Sequence, residues 1–124
     1  DMDNFKLVND QLGHPVGDQV LREFASILEN YFNRNKDITG RLGGDEFAVF
    51  VGRDIAIKET EGMLKKFISI VHQNFDGKYP DQKLSVSIGV SPAADSDTYE
   101  LLYQNADKAL YEAKGKGKDR FQIR

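Results

Sequence analysis

A chain of 124 residues, 40% of them hydrophobic, has the length and apolar mass for one domain around one core and leaves nothing for a second. Its 17 basic and 20 acidic residues give a net charge of -3 with no dense basic block, which argues against a dedicated nucleic-acid surface, so any phosphate site must be built locally. Without cysteine there is neither a disulfide framework nor a thiolate metal site, no apolar run approaches the ~18 residues of a membrane span, and no signal-peptide pattern opens the chain.

Phe5, Val8 and Leu12 share one helical face, and Gly13 is a natural stop for that helix. Residues 1 to 3 come before it, with Asp3 placed as its N-cap. The clearest helix runs from Val16 to Phe32 and starts near Gly17-Asp18. In it Val20, Leu21, Phe24, Ala25, Ile27, Leu28, Tyr31 and Phe32 form a stripe at the 3.6-residue period. A polar turn at Asn33 to Asp37 leads into a strand from Ile38 to Leu42, a hairpin, and a second strand from Phe47 to Val51. At the hairpin Gly43 and Gly44 fit a two-residue turn and leave room for a bulky ligand against the backbone. Asp45 and Glu46 stand at its mouth, and strand alternation aims them at different faces. The second strand is apolar on both faces, which predicts a central position.

Ile55 to Phe75 carries Met63, Leu64, Phe67, Ile68 and Val71 at helical spacing and closes in a loop through Asp76-Gly77-Lys78-Tyr79-Pro80. Lys83 to Val90 alternates Leu84, Val86, Ile88 and Val90 with Ser85, Ser87 and Gly89, which predicts a strand buried on one face. Asp97 and Glu100 form a capping box for a further helix through Leu101, Leu102, Ala106, Ala109, Leu110 and Ala113, ending near Gly115 or Gly117. Phe121-Gln122-Ile123 is a short last strand. No internal repeat, low-complexity tract or linker interrupts this order.

Gly43-Gly44-Asp45-Glu46-Phe47 is the signature of the GGDEF family of diguanylate cyclases, and the chain resembles that family over essentially its whole length. Asp1-Met2-Asp3-Asn4-Phe5-Lys6, Asn9-Asp10, Gly13-His14, Gly17-Asp18, Ser87-Ile88-Gly89-Val90 and Ala106 to Lys114 resemble the family's other blocks, in the family's order. The resemblance implies an α/β (α+β) fold like that of nucleotidyl cyclases and polymerase palms. In it a central, mostly antiparallel sheet is flanked by helices and the motif sits on a β-hairpin. Residues 1 to 124 are then one GGDEF catalytic domain. In the family Asp1 lies at the end of a first buried strand, so an apolar strand and a short leading helix are expected ahead of it.

The implied reaction condenses two GTP molecules into cyclic di-GMP and two pyrophosphates, with Mg²⁺ or Mn²⁺ as cofactor. By the same resemblance Asp1, Asp45 and the Met2 carbonyl are the candidate metal ligands, hard oxygen donors of the kind Mg²⁺ takes. Taken alone, Asp1 reads as a solvated strand-end charge. Glu46 either binds a second metal or takes the proton of the attacking 3′-hydroxyl, and the general base is assigned to Asp45 and Glu46 as a pair. Lys6, Lys114 and Lys118 match positions that hold the triphosphate or stabilise charge on the phosphorus oxygens. Where the family commonly has arginine, Lys118 replaces a bidentate contact by a point charge, and weaker GTP binding follows. Asn9 and Asp18 match the pair that reads guanine, Asp18 accepting from donors that adenine lacks; by itself Asp18 reads equally as an N-cap. His14 either borders the nucleotide or serves the turn. Arg34-Asn35-Lys36-Asp37 matches the family's RxxD product-inhibition site.

The product is two-fold symmetric, so a homodimer is required for catalysis. The isolated chain is expected to be monomeric, with an upstream sensory or dimerisation domain in the complete protein and a cytoplasmic location. The alternative function is an inactive GGDEF domain that serves as a GTP or cyclic di-GMP receptor. A domain for dimerisation alone leaves the site residues unexplained.

Overall fold

The computed structural model describes residues 1–124. Its elements are β1 (Met2–Asp3), α1 (Phe5–Leu12), α2 (His14–Tyr31), β2 (Asp37–Gly43), β3 (Glu46–Val51), α3 (Ile57–Phe75), β4 (Ser85–Val90), α4 (Tyr99–Gly115) and β5 (Arg120–Ile123). The strands form two ladders. One has the order β1-β4-β5, with β1 antiparallel and β5 parallel to β4; the other is the antiparallel hairpin β2-β3. Residues 1 to 3 join them: Asp1 and Ser87 exchange both backbone hydrogen bonds, while the Met2 N–H donates to the Asp45 carbonyl at 3.3 Å.

One face of this sheet system carries the apolar core. Val20, Phe24, Leu28 and Phe32 recur at four-residue steps along α2 and its end, and they meet Leu64, Phe67, Val71 and Phe75 of α3 together with Met2, Phe5, Val8, Leu84 and Val86. Phe24 ties α2 to the hairpin, its ring 5.0 Å from that of Phe47, and Phe67 is ringed by Phe24, Tyr31 and Phe32. Helix α4 packs on the opposite face. A Cβ on Gly89 would lie 2.0 Å from the Ala106 carbonyl oxygen and 2.4 Å from the Leu110 nitrogen, so only glycine lets α4 approach β4 this closely. No helix is long and apolar enough to cross a membrane.

Several sequence expectations are corrected. Strand β3 is not central: its only ladder partner is β2, with Phe47, Val49 and Val51 toward the core while Ala48 and Phe50 are exposed. Strand β4, expected to be buried on one face, is the central strand of its ladder, and both Ser85 and Ser87 are buried. Helix α2 begins at His14 rather than near Gly17, because Pro15 fits the first turn. Asp3 is not the cap of α1; Asn4 takes that place in a left-handed conformation, and Asp3 is buried in the sheet. Leu12 is exposed. Helix α4 is capped by Thr98, whose Oγ1 accepts the Leu101 N–H at 3.2 Å, while Asp97 accepts from the Ala94 N–H one turn earlier.

Candidate active site

The hairpin tip is built by Gly44 and Asp45, with Gly43 as the last residue of β2 paired to Glu46, so the turn sits one residue later than the sequence suggested. Gly44 has φ 51°, the left-handed region open to glycine, and the Arg41 Nε–H closes the turn onto the Gly44 carbonyl at 2.8 Å. A Cβ on Gly43 or Gly44 would meet nothing within 4 Å, so the tip is open on the side where a ligand would lie.

Asp1 stands beside this tip. Its Oδ2 accepts from Lys114 Nζ at 2.5 Å, and the Met2 N–H bond to the Asp45 carbonyl sets Asp1 next to the Asp45–Glu46 end of the hairpin. Glu46, half-buried at the start of β3, accepts from the Tyr103 hydroxyl at 3.1 Å. Asp1, Met2, Asp45, Glu46 and Lys114 are thus brought together between the hairpin and α4. Lys114, expected to hold phosphate, here bears on the proposed metal ligand Asp1.

No three acidic, histidine or cysteine side chains form a ready metal cage. The donor set itself fits a hard divalent ion, since Asp1, Asp45, Glu46 and the Met2 carbonyl offer oxygen only. The Lys114 ammonium against Asp1 shows that this carboxylate accepts a positive charge.

A network rooted in the buried Asp3 and reaching the surface at His72 underlies the site. Asp3 accepts from the Ser85 hydroxyl at 2.7 Å, the Ser87 hydroxyl at 2.6 Å and the Asp119 N–H at 3.0 Å. Asp119 in turn accepts from His72 Nε2 at 2.8 Å, and His72 Nδ1 lies 3.1 Å from Asp76. The hydrogen bond to Asp76 chiefly raises the His72 pKa; partial burial opposes it and Asp119 adds to it. These contacts hold Lys118 and Asp119 at φ 64° and 50°, an uncommon conformation for non-glycine residues, and so fix the turn that presents Lys118.

The other sequence candidates fall in two places. At the α1–α2 corner, a Cβ on Gly17 would lie 1.9 Å from Asn9 Oδ1, so the missing side chain makes the space that the Asn9 amide fills. Asp18 follows Gly17 and is exposed within α2, not at its cap; His14 and Lys6 are also exposed. Before β2, the Asp37 carboxylate accepts the Arg34 N–H at 3.2 Å while the Asp37 N–H donates to the Arg34 carbonyl at 2.9 Å. Arg53 Nε lies 3.8 Å from Asp37, whose side chain is only 1% exposed, whereas Arg34 is exposed.

Sequence reasoning missed Tyr103 and the Asp3–Asp119–His72 chain. The signals were present: Ser85 and Ser87 two apart on a strand, and Tyr103 and Lys114 eleven apart on one helix.

The family described as "Diguanylate cyclase, GGDEF domain" matches residues 1–120. The chain is 37% identical to diguanylate cyclase DgcS of Shewanella oneidensis over 123 residues, covering 99% of this chain and 40% of DgcS. It is 37% identical to the response regulator PleD of Caulobacter vibrioides, covering 96% of this chain and 27% of PleD. Among solved structures, the coiled coil and GGDEF domain of DgcB from Caulobacter crescentus, in complex with c-di-GMP, superimposes with a TM-score of 0.87. That pair is 28% identical, over 100% of this chain and 66% of the other. The active GGEEF domain of a Vibrio cholerae diguanylate cyclase gives 0.78 at 30% identity, over 99% of this chain and 78% of the other. The chain therefore spans less than half the length of these curated relatives.

Proposed function

The chain belongs to the GGDEF domain family of diguanylate cyclases, and from that premise we propose that it condenses two GTP molecules into cyclic di-GMP with release of two pyrophosphates. The observation that carries the reading is that the Met2 N–H bond to the Asp45 carbonyl sets Asp1 beside Asp45 and Glu46 at an open glycine tip.

In each half-reaction the 3′-oxygen of one GTP bonds to the α-phosphorus of the other, and the bond from that phosphorus to the β-bridging oxygen breaks. The proton of the 3′-hydroxyl goes to the Asp45–Glu46 pair. Mg²⁺ bound by Asp1, Asp45, Glu46 and the Met2 carbonyl would neutralise the triphosphate and polarise the phosphorus under attack. Lys6, Lys114 and Lys118 supply positive charge to the phosphates, Lys114 being shared with Asp1 until nucleotide arrives. Asn9 and Asp18 read the guanine edge, with His14 bordering it at the start of α2.

One domain has one such site, so two domains face each other and each presents its nucleotide to the other. The cytoplasm, where GTP is made, is the place of this chemistry, and a neighbouring domain in a longer protein would gather two copies. Product inhibition is assigned to the Arg34–Asp37 turn: Asp37 shapes it and the exposed Arg34 meets the phosphates and guanines of cyclic di-GMP.

The test is product identity by mass spectrometry after incubation with GTP and Mg²⁺. The parent should yield cyclic di-GMP and Asp45→Ala, equally folded by circular dichroism, should not; equal product from both would remove the metal assignment. In the same assay Arg34→Ala should keep its rate and lose inhibition by added cyclic di-GMP. A parent that binds GTP or cyclic di-GMP without turnover would establish the receptor reading instead.

A further inference from the structure

Resting on the reading that Glu46 belongs to the cyclase site, we propose that Tyr103 is the positioning residue that fixes the Glu46 carboxylate. The Tyr103 hydroxyl donates to Glu46 Oε1 at 3.1 Å, a contact between α4 and β3 across 57 residues of sequence. Glu46 has three side-chain torsions and stands at the strand end next to an open turn, so nothing local holds it. A bond to one oxygen sets its orientation and leaves the other for a metal ion or for the 3′-hydroxyl proton.

The Tyr103 ring is 40% exposed, and it is its helix that is firmly seated. The Tyr103 ring lies 6.1 Å from that of Tyr99, one turn earlier on α4. The helix is seated through buried Ala109 and Ala113 and through the close approach at Gly89. Eleven residues are three helical turns, so Tyr103 and Lys114 lie on one stripe of α4. Lys114 bears on Asp1 and Tyr103 on Glu46, which makes a single rigid helix the brace of both ends of the carboxylate cluster. Besides Glu46, the groups that face Tyr103 are Asp107 and Tyr99 of the same helix.

The test compares Tyr103→Phe with Tyr111→Phe, the latter on the same helix and 80% exposed. With no nucleotide or metal present, the ¹³Cζ resonance of Tyr103 should move when Glu46 is changed to Gln, and that of Tyr111 should stay. In turnover at limiting Mg²⁺, Tyr103→Phe should lose about tenfold in kcat with KM for GTP unchanged, and Tyr111→Phe should match the parent. A residue that merely packs α4 would lower the melting temperature and leave the metal dependence alone. A Tyr103 resonance indifferent to Glu46→Gln, or a Tyr103→Phe enzyme with the parent's metal dependence, would overturn the proposal. If the parent makes no product, the cyclase reading fails by itself. Tyr103 is then judged by its resonance and by Mn²⁺ affinity from water-proton relaxation, where Tyr103→Phe should again bind about tenfold more weakly.

Discussion

Asp3 shows how a single residue's role depends on what stands opposite it. By its place before a helix it reads as a cap, yet Ser85 and Ser87 face it across the ladder and the Asp119 N–H reaches it from the far end of the chain. No local pattern announces a partner 116 residues away. Asp3→Ala should therefore cost about 3 kcal/mol in urea denaturation, since it leaves two buried hydroxyls and one N–H unpaired. Asp3→Asn, which keeps an acceptor, should lose less; a loss within the error of the parent would show that the network does not stabilise the fold. Asp18 is the contrasting case, singled out by motif alone and exposed at a corner where Gly17 makes room for Asn9. Asp18→Ala should leave stability unchanged and reduce discrimination of GTP from ATP by about tenfold, read from competition binding, because adenine then no longer faces an unmatched carboxylate.

At the scale of elements, helices and strands were legible because their apolar periods are long, and the roles of β3 and β4 were exchanged. Ala48 and Phe50 read as a second buried face of β3, but they lie on the exposed side; Ser85 and Ser87 read as solvent-facing on β4, but Asp3 and α4 cover them. Apolar content cannot reveal a face buried through a polar network. Gly89 belongs to that same face. Gly89→Ala should displace α4, because the atoms a Cβ would meet are backbone and cannot rotate away, with a cost of about 2 kcal/mol and a rate lost beyond what stability explains. Full activity in a variant that melts like the parent would refute the bracing role of α4. His72 links α3 to the α4–β5 turn in a pH-dependent way. Its folded pKa is raised above the ordinary 6.5, chiefly by Asp76 and then by Asp119, so its contribution is fully present below that unfolded value. The contribution is lost as pH rises through the folded pKa. Melting temperature measured across that window should fall with rising pH more in the parent than in His72→Gln, and parallel curves would exclude the clamp.

For the whole molecule, the family signature made the family and its fold readable together, while assembly left no trace in the apolar pattern. The stripes of α2 and α3 are spent on the core, and α4 is spent on β4 and β5. Apolar side chains are left outside in two places: on the hairpin, where Ile38 and Phe50 pair across the strands with Leu42 beyond them, and along α4, where Tyr99, Leu101, Tyr103 and Tyr111 are exposed. A single site holding one nucleotide cannot align both the 3′-hydroxyl and the α-phosphorus of two GTP molecules, so the account requires two domains per product. The most direct measurement follows pyrophosphate and cyclic di-GMP from GTP in one reaction across a dilution series, with sedimentation at each concentration. The expected result is two pyrophosphates per cyclic di-GMP and a specific activity that rises with protein concentration. A specific activity that stays flat where only monomers sediment, or pyrophosphate released without the cyclic product, would contradict it.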